Sequence, residues 1–247
     1  RNAGNAILNL YNSKNQDFGI DYKEDNSPLT KADKASNDII CNELVKIAPD
    51  IPILSEEGKN IKYLERKGWH TFWLIDPLDG TKEFINQNGE FTVNIALIEN
   101  NEPVIGVIYA PAISILYYAS KNNGSYKLSC DQKIDSLSDS IRIKTNQKKS
   151  SEHFNVFKSR SHSNVGFEDW VERNVDDYEL IEKGSSIKFC KLAEGKADLY
   201  PRFGPTSEWD IAAGHIILLE AGGELKSVDN KKILYNSKES VINPHFI

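Results

Sequence analysis

The most informative stretch of the chain is TFWLIDPLDGT, residues 71–81. Its first five residues are a continuous apolar run, which predicts a buried strand that stops at Asp76. Asp79 follows three residues later, across a turn imposed by Pro77 and Gly80. Because ligands tend to bind where strands of such sheets end, this stretch indicates a functional site.

The two aspartates suggest a metal. Carboxylates this close repel each other unless a cation lies between them, and hard oxygen ligands favour Mg²⁺ or Mn²⁺ over zinc. If a helix starts here, the amides of Gly80 and Thr81 are placed to bind a phosphate. A plain turn with Asp side chains as caps explains the same residues about as well at this point.

Periodicity outside this stretch predicts a mixed α+β / α/β protein with an antiparallel sheet. Helices are expected at residues 3–11, 30–47, 168–174 and 209–221; strands at 53–55, 178–181 and 197–200; and hairpins at 92–109 and 115–128. The polar stretch at 129–152 indicates a loose boundary between two subdomains, residues 1–135 and 136–247.

The composition excludes several classes of protein. A net charge of −6 argues against broad nucleic-acid binding, but not against a small anionic substrate, because bound cations invert the local field. The three cysteines form no CxxC pair, which argues against a zinc site or disulfide framework and favours a reducing cytoplasm.

The ends and the apolar runs of the chain bear on its location. No apolar run approaches the length of a membrane span and no signal peptide opens the chain, so we expect no stable membrane insertion. A cytoplasmic protein, with at most peripheral contact at the inner membrane face, fits these features. Because the chain holds no Met and begins at Arg1, we expect its native start to be missing.

Three further carboxylates precede or follow predicted elements. Glu56 follows a strand end, but beside Glu57 it is more often part of a solvated loop. Asp33 stands in the first turn of a helix that Thr30 would cap. Asp210 is a natural N-cap of the late apolar helix, and it would otherwise be free to bind a metal.

The second half of the chain supplies hydroxyls and cations. Ser185, Lys188 and Arg202 suit a phosphate, although each alone is more often a surface group. His162 lies in a polar loop, where a single His is more often exposed than functional. The chain shows no Ser-His-Asp arrangement, GxGxxG fingerprint or P-loop spacing.

Four stretches in order resemble signature motifs of the inositol monophosphatase superfamily: PLTKAD (28–33), SEE (55–57), DPLDGT (76–81) and WDIAAG (209–214). GSSIKFC (184–190), AEG (193–195) and DLYPRFGPT (198–206) resemble its bacterial 3′(2′),5′-bisphosphate nucleotidases. The resemblance implies a layered αβαβα sandwich of the sugar-phosphatase type, with an active site between two subdomains. It also implies a Mg²⁺-dependent phosphatase that converts adenosine 3′,5′-bisphosphate into AMP and phosphate in sulfur assimilation.

The same resemblance implies the site residues. Ligands for two or three Mg²⁺ ions are Glu56, Asp76, the Leu78 carbonyl, Asp79 and Asp210. The residues that orient and deprotonate the attacking water are Asp33, Glu56 and Thr81. The residues around the scissile phosphate are Glu56, Leu78, Asp79, Gly80, Thr81 and Asp210. The pocket for the second phosphate comprises Ser185, Lys188, Arg202 and His162.

In this scheme residues 1–135 carry most of the metal motifs, and residues 136–247 carry the second-phosphate pocket and the last metal ligand. Two alternatives stay open. An inositol monophosphatase shares the metal site but does not need a second-phosphate pocket. A non-catalytic nucleotide- or metal-binding protein on this fold would have lost a metal ligand, whereas every matching position here keeps its carboxylate. The expected partner is a small-molecule substrate; no oligomeric state is predicted.

Overall fold

The computed structural model describes residues 1–13, 18–23, 27–130, 137–148, 152–161 and 166–247. Seven α-helices lie within these ranges: α1 (Asn2–Tyr11), α2 (Lys31–Ile47), α3 (Tyr63–Arg66), α4 (Thr81–Ile85), α5 (Phe167–Asn174), α6 (Ile187–Ala193) and α7 (Glu208–Glu220). The strands are β1 (Asp21–Tyr22), β2 (Pro28–Leu29), β3 (Ile53–Ser55), β4 (Thr71–Asp79), β5 (Thr92–Glu99), β6 (Glu102–Ala110), β7 (Ile115–Ser120), β8 (Gly124–Ser129), β9 (Ile141–Ile143), β10 (Phe154–Ser159) and β11 (Tyr178–Lys183).

The centre of the fold is a seven-stranded sheet in the order β3-β4-β5-β6-β7-β8-β9. All neighbours are antiparallel except β3 and β4, which run parallel. The two predicted hairpins are present as β5–β6 and β7–β8. The parallel pair matters for function, because the carboxyl ends of β3 and β4 meet at the same edge of the sheet.

Helices cover both faces of this sheet. On one face α1 and α2 bury Ile7 and Ile40 against a cluster that includes Ile75 of β4. On the other face α6 and α7 bury Phe189 and Ile216 against alternate residues of the strands. Helix α7 is apolar nearly all round, because it lies between the main sheet and a second, smaller one.

The second sheet pairs β10 with β11 in parallel. Phe157 of β10 joins the cluster around α6 and α7, while its neighbour Val156 packs against Phe167 and Val171 of α5. The alternation of side chains along β10 therefore produces two further layers. The complete order is helix, sheet, helix, sheet, helix, which confirms the predicted αβαβα sandwich.

The structure corrects the predicted strand before Pro201. Residues 197–200 are not a strand: Leu199 makes only an isolated bridge to Val156. Pro201 explains this, because it has no N–H to donate at the next position of a parallel ladder.

The predicted turn after Asp76 is also wrong. Strand β4 continues to Asp79, with Asp76 opposite Asn94 and Asp79 opposite Thr92, so that an extra residue forms a bulge. A bulge re-aims side chains without ending the strand, which is why both aspartates stay on the sheet.

Across the described ranges, no helix is both long enough and apolar enough to cross a bilayer.

Candidate active site

Three carboxylates meet where β3, β4 and α7 converge. Glu56 follows β3, Asp76 lies in β4 and Asp210 lies in the first turn of α7. Each has a carboxylate oxygen within 4.8 Å of the others. Strand pairing positions the first two, since the Glu56 amide donates a hydrogen bond to the Ile75 carbonyl at 3.1 Å.

The electrostatics of this cluster are unfavourable without a cation. Burial, followed by the charges of Glu56, Asp79 and Asp210, raises the pKa of Asp76 well above its ordinary value. Burial and the charges of Asp79 and Glu56 likewise raise the pKa of Asp210. Like charges this close cannot all be ionised unless positive charge is brought among them.

The donor set fits a divalent metal ion. Every side-chain ligand in the cluster is a carboxylate oxygen, the type that Mg²⁺, Ca²⁺ and Mn²⁺ prefer. The chain itself contributes Lys23, whose ammonium lies 2.7 Å from Glu56 Oε1 and 2.5 Å from Glu57 Oε1. This single cation reaches only one edge of the cluster.

Two of the site's aspartates also take part in capping the N-termini of their helices. Asp33 is the third residue of α2 and accepts the Thr30 amide at 2.7 Å, which completes a capping box. Asp210 is the third residue of α7 and accepts the Ser207 amide at 2.9 Å in the same way. The prediction that Asp210 is the N-cap is therefore wrong: Ser207 caps the helix, and Asp210 makes the reciprocal bond from inside it.

Asp33 and Thr81 form a pair at the start of α4. Thr81 Oγ1 lies 3.1 Å from Asp33 Oδ1 and 3.3 Å from the Leu78 carbonyl oxygen. Burial raises the pKa of Asp33, although hydrogen bonds from Thr30 and Thr81 oppose this. A carboxylate with a raised pKa is a better proton acceptor near neutral pH.

Gly80 allows the chain to turn into α4. It has a φ of +90°, and a Cβ built there would lie 2.9 Å from the Glu90 carbonyl oxygen and 3.2 Å from Ser185 Cβ. Only glycine fits this position. A helix does begin here, so the amides of Gly80 and Thr81 stand at its N-terminus as predicted.

Asp79 connects the acidic cluster to the second half of the chain. It accepts a hydrogen bond from the Ser186 amide, and Asn94 Nδ2 lies 3.5 Å from the same oxygen. Burial raises the pKa of Asp79, while the charge of Lys188 acts in the opposite direction.

Lys188 is a buried cation on α6. Its side chain donates to the carbonyls of Ser185 at 2.7 Å and Lys183 at 3.1 Å, and its ammonium lies 5.0 Å from the centre of the Tyr200 ring. The residue is only 3% exposed, and this burial lowers its pKa to about 8.

Arg202 is the second buried cation. Its Nη2 donates to the Pro205 carbonyl at 3.0 Å, whereas its buried Nε makes no hydrogen bond within the part of the chain that the structure describes. A buried donor without an acceptor is costly, and an anionic oxygen in the cavity would satisfy it.

One cavity of about 180 Å³ joins these groups. The predicted site residues that line it are Glu56, Asp76, Leu78, Asp79, Gly80, Thr81, Ser185, Lys188, Arg202 and Asp210. Asp33 lies behind Thr81 and reaches the cavity through it. His162 lies outside the described residues. The cavity thus has an acidic wall (Glu56, Asp76, Asp79 and Asp210) and a basic wall (Lys188 and Arg202).

Sequence reasoning missed Lys23, Asn94 and Ser186. Asn94 carried a usable signal, because it is a polar residue inside the apolar strand β5 and is 1% exposed. Ser186 lay within a noted stretch, but only its neighbours were assigned roles. Lys23 gave no signal, since one lysine in a turn-rich segment is ordinary.

Comparisons with known proteins agree with this geometry. The sequence profile of the inositol monophosphatase family matches residues 1–245. The 3′(2′),5′-bisphosphate nucleotidase CysQ of Salmonella typhimurium is 43% identical over 247 residues, which is 100% of this chain and 94% of that protein. The protein of the same name from Escherichia coli is 41% identical over 246 residues, with 100% and 94% coverage.

Solved structures show the same fold. The crystal structure of CysQ from Bacteroides thetaiotaomicron superposes with a TM-score of 0.86 at 44% identity, and the match covers 99% of this chain and 92% of that one. A Thermotoga maritima IMPase superposes with a TM-score of 0.75 at 24% identity, covering 99% and 87%. The second likeness extends the shared architecture to a distant sequence.

Proposed function

Because the chain belongs to the inositol monophosphatase family, we propose that it is a 3′(2′),5′-bisphosphate nucleotidase, a metal-dependent phosphatase. Its substrate in this proposal is adenosine 3′,5′-bisphosphate, which it hydrolyses at the 3′ position to AMP and phosphate. The observation that carries the proposal is the single cavity with an acidic wall for metal ions and a basic wall of two buried cations.

The acidic wall would hold the metal. Glu56, Asp76, Asp79 and Asp210, with the Leu78 carbonyl, offer the oxygen ligands, and we propose Mg²⁺, two or three ions, as the occupant. When bound, Mg²⁺ lowers the pKa of a coordinated water and neutralises phosphate charge.

The protein's own groups orient the reaction. The amides of Gly80 and Thr81 bind the scissile phosphate at the start of α4. Thr81 Oγ1, held by Asp33, positions the attacking water, and Asp33 or Glu56 accepts its proton. Water attacks phosphorus as the bond to the 3′ oxygen breaks, and the departing 3′ oxygen takes a proton from solvent to become the 3′ hydroxyl of AMP. Positioning and charge neutralisation supply most of the rate, as in other phosphoryl transfers.

The basic wall selects the substrate. Lys188 and the unsatisfied Nε of Arg202 bind the second phosphate, with the hydroxyl of Ser185 beside them. An inositol monophosphate offers these cations only neutral hydroxyl groups and no second phosphate, so it compensates two buried positive charges less well. This difference favours the nucleotidase over the inositol monophosphatase.

The proposal extends to the setting of the enzyme. All three cysteines, which lie in described ranges, are free thiols, and this supports a cytoplasmic location. Removal of adenosine 3′,5′-bisphosphate would place the enzyme in sulfur assimilation.

The test is phosphate release from adenosine 3′,5′-bisphosphate and from inositol 1-phosphate, each with Mg²⁺ and with EDTA. We expect release that depends on Mg²⁺ and is much faster from the nucleotide. Faster release from inositol 1-phosphate would keep the metal site but overturn the role of the basic wall. No release from either would point to a non-catalytic binding protein.

A further inference from the structure

Glu90 stands outside the cavity, and its carboxylate accepts four hydrogen bonds, two of them from the segment that borders the cavity. It lies between α4 and β5, and its side chain is 12% exposed. Arg160 donates to it from Nε at 3.0 Å and from Nη2 at 3.2 Å. Lys183 Nζ donates at 2.9 Å and the Gly184 amide at 2.7 Å. No established step of the reaction uses this carboxylate.

The segment that Glu90 holds, residues 183–186, is also the segment that positions the basic wall. The carbonyls of Lys183 and Ser185 accept the Lys188 ammonium. Glu90 binds the side chain of Lys183 and the amide of Gly184, so it grips the chain on both sides of the Lys183 carbonyl. A shift of this segment therefore moves both acceptors of Lys188.

The same segment is conformationally demanding. Ser185 has a φ of +44°, in the left-handed region that is unfavourable for a serine, and the next amide donates to Asp79. Such a conformation persists only where the surroundings enforce it. The Glu90 side chain contributes by binding Lys183 and the Gly184 amide immediately before Ser185, and the Ser186 amide is held by Asp79 immediately after it.

We propose that Glu90 is a positioning residue that sets the selectivity of this enzyme for bisphosphates over monophosphates. It acts through residues 183–186: Glu90 fixes the position of this segment, and two carbonyls of the segment fix the position of the Lys188 ammonium. The inference rests on the proposed function, because it assigns Lys188 to the second phosphate.

A carboxylate is required at this position because all four partners are donors. Glu90→Gln keeps the shape but replaces one acceptor oxygen by an NH₂ group, which would face donors. Both Glu90 oxygens accept from two groups each, so either orientation of the amide breaks contacts with this segment or with Arg160.

The experiment compares KM and kcat of the Mg²⁺-loaded enzyme for adenosine 3′,5′-bisphosphate and adenosine 3′-monophosphate, in the native protein and in Glu90→Gln. We expect KM for the bisphosphate to rise about 10-fold, the usual cost of losing an outer partner of a site, while KM for the monophosphate changes less than about 2-fold. The kcat for both substrates should stay within about 2-fold.

The matched control is Glu182→Gln. Glu182 also reaches Arg160, with Oε2 at 3.7 Å from Nη1, but its side chain is 56% exposed and its carboxylate lies on the solvent side of β11. This variant should leave both KM values unchanged. Lys183→Met provides a second route if Glu90→Gln folds poorly, because it removes one of the four bonds and should give a smaller rise in KM, again for the bisphosphate alone.

Two results would overturn the inference: an unchanged KM for the bisphosphate in both variants, or equal rises for both substrates, which would mean a general loss of structure. Failure of the proposed function is a different result. In that case the native enzyme itself would show no preference for the bisphosphate, whatever the variants do.

Discussion

The two walls of the cavity are both charged and both buried, but they are held in opposite ways. On the basic wall, Lys188 gives its hydrogens to two backbone carbonyls and faces an aromatic ring. On the acidic wall, Asp76 and Asp210 face other carboxylates, and burial adds to the repulsion. Lys188 is therefore held by groups of the protein, and on this wall only the buried Nε of Arg202 lacks an acceptor among the described residues. The carboxylates of the acidic wall instead repel one another unless a cation is bound.

The largest effect is expected when one carboxylate of the acidic wall is neutralised. Asp79→Asn keeps the side-chain volume and should lower kcat for the bisphosphate by about 10³-fold, because it removes a charge that offsets Lys188 and that we propose as a metal ligand. Phosphate release under saturating Mg²⁺ measures this loss. Circular dichroism should show a folded protein.

The control for that variant is Asp177→Asn, an aspartate that is 68% exposed and pairs with His153. It should retain full activity. Substantial turnover by Asp79→Asn would contradict the assignment of the acidic wall to the metal.

A change on the basic wall should act on binding instead of on the chemical step. Lys188→Met removes the charge that we propose binds the second phosphate, so KM for adenosine 3′,5′-bisphosphate should rise about 10- to 100-fold. KM for adenosine 3′-monophosphate and kcat should change little. Lys191→Met on the same helix removes an ammonium that pairs with Glu194, and it serves as the matched control. A parallel loss on both substrates would show that the two walls are not separable.

The two walls should also differ in how they respond to pH. Burial lowers the pKa of Lys188 to about 8, while Asp79, Glu83 and Glu90 raise it and Arg202 lowers it further. The ammonium is present below this pKa and is lost above it. We therefore expect kcat/KM for the bisphosphate, divided by that for the monophosphate, to be constant below pH 8 and to fall up to about 10-fold per pH unit above it.

Lys188→Arg checks this origin, because an arginine stays charged throughout that range. Its selectivity should be flat across the alkaline limb, at whatever level the bulkier side chain allows. If the alkaline fall persists there, another group titrates.

The smallest expected effect concerns the acidic wall without substrate. The pKa values of Asp76 and Asp210 are raised in the folded state above the ordinary value of 3.8, so their favourable contribution exists at low pH and is lost as pH rises through the folded values. Mg²⁺ opposes this loss. At about 100 times its Kd it should raise Tm by about 5–10 °C at neutral pH, and by less at pH 5. EDTA should reverse the shift in Tm. An identical shift in Tm at both pH values would mean that the metal does not bind to these carboxylates.

Sequence patterns predict the helices and strands that carry the site residues, but few of the contacts between those residues. The apolar run before Asp76 and the spacing of α2 and α7 mark their elements because local periodicity reports burial. The sequence predicts a turn where the structure has a bulge between Asp76 and Asp79, because Pro and Gly are common in both turns and bulges. The cap of α7 was placed on Asp210 instead of Ser207, because both residue types cap helices.

The contacts of Lys23 and Glu90 show where such reasoning stops. Glu90 meets Arg160 and Lys183 across 70 and 93 positions of sequence, and Lys23 meets Glu56 across 33. Pairings of this kind depend on how layers stack, which no local pattern encodes. That the four motifs form one site is implied only by their resemblance to a known family, and not by any pattern within the sequence.

The double duty of Asp33 and Asp210 has a consequence for how relatives of this chain are read. A lineage that lost the reaction would still be under pressure to keep both aspartates, because each one closes a helix end through a capping box. Asp76 caps no helix: its Oδ1 accepts the Leu78 amide at 3.1 Å within the bulge, and the side chain is buried among like charges, which is unfavourable in a molecule that binds no metal. Retention of Asp76 is therefore a better sign that a related protein is still active than retention of Asp33 or Asp210.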